Sequence, residues 1–129
     1  MKLISYKKNG NIKLGAFEEG EIYDYHDLDA HIADNMLEFL QGGEEQLQLA
    51  IAAMEDGSPT ISAEDVELIS PVPNPPSVRD AYAFRQHVAT ARRNRRLEMI
   101  PEFDEIPIFY FTNHNAVFGP GDFIVKEKH

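Results

Sequence analysis

The chain has 129 residues, 43% of them hydrophobic, and a formal net charge of −10. These values predict one ordinary globular domain, or a small domain followed by part of another, and exclude a disordered chain. No apolar run approaches the roughly 18 residues of a membrane-spanning helix, and the first residues lack the apolar core of a signal peptide. Cysteine is absent, which excludes disulfides and thiolate metal sites. Together these features favour a cytoplasmic protein with no membrane partner.

The charge is unevenly distributed along the chain. Residues 1–70 hold 4 Lys/Arg against 15 Asp/Glu, whereas residues 71–129 hold 8 against 7. Because neutralisation of phosphates dominates the affinity of proteins for nucleic acid, the acidic first half argues against a nucleic-acid partner. The asymmetry also predicts two differently constructed regions.

The first region begins with the pattern of a β-meander. Apolar and polar residues alternate on both sides of Asn9–Gly10, a pair that tolerates the positive φ angles of a type I′ hairpin turn. Glu19–Gly20 supplies a second turn before a third strand. Two helices are then expected, one capped by Asp34 and ended by Gly42–Gly43, the other running to about Met54.

A short strand is predicted over residues 66–69, and a proline-rich stretch follows it. Residues 71–77 read PVPNPPS; four prolines in seven positions exclude a helix and favour an extended connector. The charge balance changes at the same place. The sequence therefore predicts an α+β chain that is mainly β, with a small N-terminal domain over residues 1–70, a connector over residues 71–77 and a second region over residues 78–129.

The second region is expected to open with a helix from about Arg79 to the low 90s, capped by Ser77. A buried strand is predicted over residues 107–111, and a further strand is predicted at Ile124–Val125. That last strand has no obvious partner in the sequence. We therefore expect residues 78–129 to be the truncated start of a larger domain.

The predicted helix would carry Asp80 and His87 on one face, because seven residues leave them only about 20° apart on an ideal helix. A carboxylate and an imidazole would then point into one cavity, although a histidine packed in a core is the plainer interpretation. Tyr82 and Arg96 would lie on the opposite side, so either they serve other surfaces or the segment is not one straight helix. The arginines over residues 85–96 form a solvated face or a basic stripe, and no nucleic-acid signature accompanies them.

Residues 77–122 read SVRDAYAFRQHVATARRNRRLEMIPEFDEIPIFYFTNHNAVFGPGD. They contain D-x-Y-x-x-x-Q-H, then an arginine, a proline-initiated strand with a tyrosine, and a glycine-rich turn. This combination resembles the fumarylacetoacetate hydrolase family, in particular its fumarylacetoacetase-like branch. The leading part, with MKLISYKKNG and MLEFLQGG, is similar to the small β-rich domain of bacterial members. The resemblance implies an SH3-like barrel with short helices, followed by the incomplete start of a mixed β-roll catalytic domain.

The resemblance also implies roles for individual residues. His87 would be the general base that activates the attacking water. Asp80 would be one carboxylate ligand of a divalent cation, Mg²⁺, Ca²⁺ or Mn²⁺. Tyr82 and Tyr110 would hydrogen-bond the substrate. Arg96 would pair with a substrate carboxylate through its planar guanidinium.

Arg93 and Arg95 lie close enough in sequence to Arg96 to compete for that carboxylate. The family's other metal carboxylates, and the glutamate that orients its histidine, lie downstream of the matched region, so the metal site is expected to be incomplete here. The implied activity is metal-dependent hydrolysis of a carbon–carbon bond in a β-diketone or acylpyruvate, with a small keto acid as substrate. The chain alone is not expected to be active; a homo-oligomer or the missing C-terminal region would complete the protein.

Two other classes of function fit the sequence. A non-catalytic interaction domain, a remnant of the same family, would retain the leading barrel and lose the chemistry; it would self-associate without responding to ligands. Nucleic-acid binding through the arginines is the weakest alternative, and a salt-dependent shift of nucleic acid would support it.

Overall fold

The computed structural model describes residues 1–127, so the last two residues of the predicted second region lie outside it. The chain is α+β, and strands are its most numerous elements. The strands are β1 Lys2–Lys8, β2 Asn11–Glu18, β3 Glu21–Asp24, β4 Ile61–Ser62, β5 Glu67–Leu68, β6 Val78–Ala81 and β7 Phe109–Thr112. The α-helices are α1 Tyr25–Leu28, α2 Met36–Gln41, α3 Gly43–Asp56, α4 Arg85–Asn94 and α5 Glu102–Glu105.

The described chain divides into two compact units. Unit 1 comprises Met1–Asn74 together with the segment that begins at Val117, and unit 2 comprises Pro75–Ala116. Unit 1 therefore holds the strands β1 to β5 and the helices α1 to α3. Unit 2, inserted into the sequence of unit 1, holds β6, α4, α5 and β7.

A curled antiparallel sheet of five strands forms a half-barrel in unit 1, in the order β4-β3-β2-β1-β5. The hairpin of β1 and β2 is paired along its whole length, from Lys2 opposite Phe17 to Lys8 opposite Asn11. Both predicted turns are formed. Asn9–Gly10 has φ angles of 52° and 80°, and Glu19–Gly20 has φ angles of 50° and 92°. The predicted β-meander is thus confirmed.

The helices of unit 1 cover one face of this sheet, where a core cluster consists of Leu14, Ala16, Tyr25, Ile32, Met36, Phe39 and Ala50. A second core cluster consists of Tyr6, Ile22 and Ile61. The two predicted helices are confirmed as α2 and α3. The predicted cap Asp34 is wrong, because Asn35 has the extended backbone of a cap and its side chain accepts the N–H of Glu38 at 3.0 Å.

The first part of the proline-rich stretch, residues 71–74, belongs to unit 1 and packs against it. Val72 packs on the core of unit 1, and Ser5 Oγ donates to the carbonyl of Pro71 at 2.7 Å. The segment that follows unit 2 also returns to this side. A Cβ added to Gly119 would lie 2.5 Å from Ile69 Cα, so the backbone of Gly119 abuts the chain just beyond β5.

Unit 2 is built on a two-stranded antiparallel ribbon of β6 and β7. The helix predicted from Arg79 is wrong for residues 79–84, because residues 78–81 pair with residues 109–112 instead. The helix begins only at Arg85. The segment is therefore not one straight helix, which was one of the two alternatives left open by the sequence.

The other strands predicted in the second region have mixed outcomes. The strand predicted at residues 107–111 is formed as β7, but it is not buried: Phe109, Tyr110 and Phe111 are 38%, 61% and 71% exposed. The strand predicted at Ile124–Val125 is not formed. None of the described helices combines the length and the apolar character needed to cross a bilayer.

Candidate functional site

Three of the predicted site residues lie on the ribbon of unit 2. Asp80 on β6 is the register partner of Tyr110 on β7. The backbone N–H of Tyr82 donates to the carbonyl of Ile108 at 2.9 Å, so the pairing continues beyond β6. Because side chains alternate between the faces of a strand, Asp80, Tyr82 and Tyr110 share one face. The ribbon thus makes Asp80 and Tyr110 cross-strand neighbours, with Tyr82 on the same face.

Tyr82 also lines a cavity at the end of the ribbon. Its ring meets Phe103 edge to face, with 6.1 Å between the ring centroids. Both rings, with Ile108 and Phe109, line a space of about 400 Å³ whose rim carries Asp104. This volume lies within the range of small-molecule sites, about 300–1,000 Å³.

An ion pair holds α5 beside this cavity. Arg85 Nε lies 2.9 Å from Asp104 Oδ1, and Arg85 Nη2 lies 3.2 Å from Asp104 Oδ2. The hydrogen bond from Arg85 lowers the pKa of Asp104, and the same contact raises the pKa of Arg85. The pair thus positions Phe103 against Tyr82. This ion pair was not predicted from the sequence, because no local pattern joins residues 19 positions apart.

His87 occupies the first turn of α4, and its side chain is exposed. The ion pairs of residues 1–127 do not include it. The predicted coincidence of Asp80 and His87 on one helix face is wrong, since Asp80 belongs to β6. The structure places the two residues on successive elements instead.

Arg96 ends α4 in a left-handed conformation, with φ 58°. Its N–H donates to the carbonyl of Arg93 at 2.9 Å, and the N–H of Leu97 donates to that of Arg92 at 3.0 Å. These two bonds form a Schellman motif, whose left-handed position usually belongs to glycine. The side chain of Arg96 is exposed.

The neighbouring arginines differ in how they are engaged. Arg92 Nε donates to the carbonyl of Glu98, and Arg93 Nη2 donates to Thr90 Oγ1 at 3.3 Å. Within residues 1–127, neither Arg95 nor Arg96 belongs to an ion pair. Arg93, Arg95 and Arg96 are the candidates for binding a substrate carboxylate. Of these, Arg93 is the one whose guanidinium is already hydrogen-bonded within α4.

A buried polar cluster in unit 1 was missed entirely. Asp24 is only 1% exposed, and its Oδ2 accepts from Tyr6 Oη at 2.7 Å and from Lys13 Nζ at 2.6 Å. Burial works to raise the pKa of Asp24, but the hydrogen bonds from Lys13 and Tyr6 outweigh it and lower the pKa. Burial, and then the contact with Asp24, raises the pKa of Tyr6. The cluster is therefore an ionised carboxylate with satisfied partners.

Asp80 has few potential co-ligands in the part of the chain that the structure describes. No group of three or more histidine, aspartate or glutamate side chains there is placed to hold a metal ion. Cysteine is absent from the sequence. Asp80 alone does not make a site for a divalent cation, which takes about six or more oxygens.

Comparison with protein-family models finds none that matches this chain. Comparison with proteins of curated function finds no match either. The roles of His87, Asp80, Tyr82, Arg96 and Tyr110 therefore stay predictions; the ribbon brings Asp80, Tyr82 and Tyr110 onto one face.

Proposed function

We propose that this chain is the N-terminal portion of a metal-dependent hydrolase that cleaves a carbon–carbon bond in a fumarylacetoacetate-like β-diketone or acylpyruvate. The observation that carries the proposal is the shared ribbon face of Asp80, Tyr82 and Tyr110. The resemblance assigns metal binding to the first residue and substrate binding to the other two. Strand pairing brings them together from distant parts of the sequence.

The chemistry of these side chains suits a small keto acid. The hydroxyls of Tyr82 and Tyr110 donate hydrogen bonds to carbonyl oxygens of a 1,3-dicarbonyl compound. Arg96 pairs with its carboxylate through two parallel hydrogen bonds. His87, exposed at the start of α4, accepts a proton from water, since histidine is the side chain that changes charge near neutral pH.

A divalent cation, Mg²⁺, Ca²⁺ or Mn²⁺, belongs to the proposal only in part. Asp80 would supply one oxygen, and the remaining ligands would come from outside the described residues. When bound, such a cation would stabilise the enolate that carbon–carbon cleavage releases. Activity is therefore assigned to the completed protein, not to these residues alone.

The proposal includes the context of the site. Unit 1 would be the SH3-like leading domain of the enzyme, an assignment supported by its curled antiparallel half-barrel. The protein would act in the cytoplasm on a small molecule, without nucleic-acid or membrane partners. A homo-oligomer, or chain downstream of residue 129, would complete the catalytic domain.

The test begins with the DNA that encodes the residues after 129. The longer reading frame is expressed, and hydrolysis of an acylpyruvate with Mg²⁺ is followed by loss of its enol absorbance. We expect His87→Ala to lower kcat by about 10²–10⁴-fold and Asp80→Asn to raise the Mg²⁺ concentration that the reaction requires. His114→Ala, at an exposed histidine in a turn, is the matched control and keeps the activity.

Two results would refute the hydrolase. One is a stop codon after residue 129 with no neighbouring frame that supplies further carboxylates. The other is a longer protein without metal-dependent hydrolysis, or with hydrolysis that His87→Ala leaves intact.

A second candidate function, a non-catalytic interaction domain, is favoured by the exposed aromatic side chains of β7. Aromatic residues exposed together mark interaction surfaces more often than isolated ones do. This alternative predicts self-association of the chain and no response to acylpyruvates or divalent cations.

A further inference from the structure

Both ends of the inserted sequence of unit 2 are anchored at one place in unit 1. Just before the insertion, the buried Ser5 donates from its Oγ to the carbonyl of Pro71 at 2.7 Å. The backbone carbonyl of the same serine accepts the N–H of Ile69 at 3.1 Å. Just after the insertion, the backbone of Gly119 abuts Ile69. Pro71 and Gly119 line the same cleft of about 310 Å³, so the two ends are neighbours.

The contact at Gly119 leaves no room for a side chain. Its φ angle lies outside the left-handed region, so backbone conformation alone does not require glycine there. A Cβ would lie 2.5 Å from Ile69 Cα and 2.7 Å from the carbonyl carbon of Ile69. These are backbone atoms, which cannot move aside as the end of a long side chain can. The second anchor is therefore a backbone-to-backbone contact that any larger residue would break.

We propose that Ser5, Ile69 and Gly119 are positioning residues that set the register of the ribbon in unit 2. They hold the two ends of the insertion together, and the chain that leads from these anchors then holds Asp80 of β6 opposite Tyr110 of β7. This proposal goes beyond the hydrolase and does not depend on it, because the register is a property of the ribbon whatever reaction the protein performs.

The ribbon itself discriminates weakly between registers two residues apart. Residues 82–108 connect β6 to β7 and include two helices, so no tight turn sets the pairing as it does in a hairpin. A slip of two residues keeps every side chain on its own face. It also keeps a phenylalanine beside Arg79, whose guanidinium lies 5.3 Å from the ring centroid of Phe109 and 5.1 Å from that of Phe111.

The anchors resist such a slip through the two short arms that join them to the ribbon. The first ribbon pair, Val78 and Thr112, lies seven positions after Pro71 and seven positions before Gly119. A slip of two residues would change the length of one arm relative to the other by about 6–7 Å. The first arm contains three prolines, which stiffen it. The second arm is folded into a turn by a backbone hydrogen bond of 3.2 Å within residues 113–116.

The register decides which side chain lies beside the candidate metal ligand. In the observed register, Asp80 and Tyr110 are cross-strand neighbours. After a slip of two residues in either direction, Tyr110 would lie opposite Val78 or Tyr82, and the carboxylate and this phenol would no longer be neighbours. The anchors in unit 1 thus act on the candidate site through the chain that joins them to the ribbon.

The test reports the register through engineered disulfides, since the chain has no cysteine of its own. Ala81→Cys with Phe109→Cys reports the observed register. These two residues flank the hydrogen-bonded pair 82 and 108 and so form a non-hydrogen-bonded pair, whose Cα spacing of about 4.5 Å suits a disulfide. Ala81→Cys with Phe111→Cys reports a slip of two residues.

The protein is expressed from its complete reading frame, with any cysteine outside residues 1–129 replaced by serine. The rates at which the two cysteine pairs form disulfides under mild oxidation are compared by mass spectrometry. In the otherwise unchanged protein, we expect the pair that reports the observed register to cross-link at least about tenfold faster than the slipped pair.

Breaking either anchor should lower this ratio of rates. Gly119→Val forces the chain after the insertion away from Ile69, and we expect it to lower the ratio at least about tenfold. Ser5→Ala releases Pro71 and should lower the ratio as well. Ala116→Val adds the same side chain at an exposed position of the second arm, so it is the matched control and keeps the ratio.

Amide hydrogen exchange in β1 and β2 shows whether each variant keeps the half-barrel. If Gly119→Val loses this protection, Ser5→Ala, which removes a single hydroxyl, decides the outcome. A ratio that the anchor variants leave unchanged would overturn the proposal. Equal cross-linking of the two cysteine pairs without an anchor variant, or an equal loss of the ratio in Ala116→Val, would overturn it too.

Discussion

Asp24 is buried, an environment that disfavours a charged carboxylate without partners. It is an ionised carboxylate inside unit 1, and Tyr6 and Lys13 replace the water it has lost. Both hydrogen bonds matter for stability, because a buried polar group without a partner costs more free energy than a hydrogen bond contributes. The cluster also fixes α1, since Asp24 Oδ1 accepts the N–H of Asp27 at 3.3 Å.

Replacing Asp24 by asparagine should destabilise unit 1 by about 2–3 kcal/mol at pH 7, because Lys13 loses its charged partner and Tyr6 loses an anionic acceptor. The folded pKa of Asp24 is below its unfolded value of about 3.9. Its contribution is therefore present above pH 4 and is lost as the pH falls through the folded pKa. The difference in free energy of unfolding between the wild type and Asp24→Asn, measured with urea, should be smaller below pH 4 than at pH 7. A gap of equal size at both pH values would contradict this.

At the scale of elements, the end of α4 is held in a conformation that its residue disfavours. A residue with a Cβ costs about 1–2 kcal/mol in the left-handed region, whereas glycine adopts it freely. Arg96→Gly should therefore stabilise unit 2 by about 1 kcal/mol, raising the temperature at which the helical signal in circular dichroism is lost. Arg95→Gly is the control: Arg95 has φ −90°, so its replacement should bring no gain. An equal effect of both substitutions would contradict the role of the φ angle.

The elements of unit 1 were predictable because their signals are local. Asn9–Gly10 and Glu19–Gly20 tolerate positive φ, and the alternation beside them sets the register of the meander. β6 was not predictable in this way. Residues 78–81 form a strand because residues 109–112 pair with them. The helical spacing between Asp80 and His87 predicted a helix there instead, and no local pattern indicates the distant partner strand.

The candidate site was predictable in its residues but not in its geometry. Helical spacing placed Asp80 beside His87, whereas the structure places it beside Tyr110. The contact of Phe103 with Tyr82 and the Arg85–Asp104 ion pair were not predicted, because contacts between separate elements produce no periodic pattern in the sequence. The apolar run of β7 indicated burial, but composition alone does not supply a partner that would cover it.

For the molecule as a whole, the two units differ in how much apolar surface they bury. Unit 1 contains nearly all of the buried apolar residues, whereas within Pro75–Ala116 only Val88 is buried. Hydrophobic burial is the main source of stability, so unit 2 should open first and unfolding should not be two-state. Brief digestion with a protease of broad specificity should cut residues 75–116 first and leave Met1–Asn74 intact. Simultaneous loss of both units would contradict this.

The insertion of unit 2 into the sequence of unit 1 has a consequence for the order of biosynthesis. A growing chain leaves the ribosome from its N-terminus, and domains fold as their residues emerge. The five strands of the half-barrel are complete by Leu68, yet Gly119, which abuts the end of that sheet, emerges only after all of unit 2. During that interval the backbone at Leu68–Ile69, at the end of β5, lacks its contact with Gly119, and the nascent half-barrel is open at that end to pairing with another polypeptide.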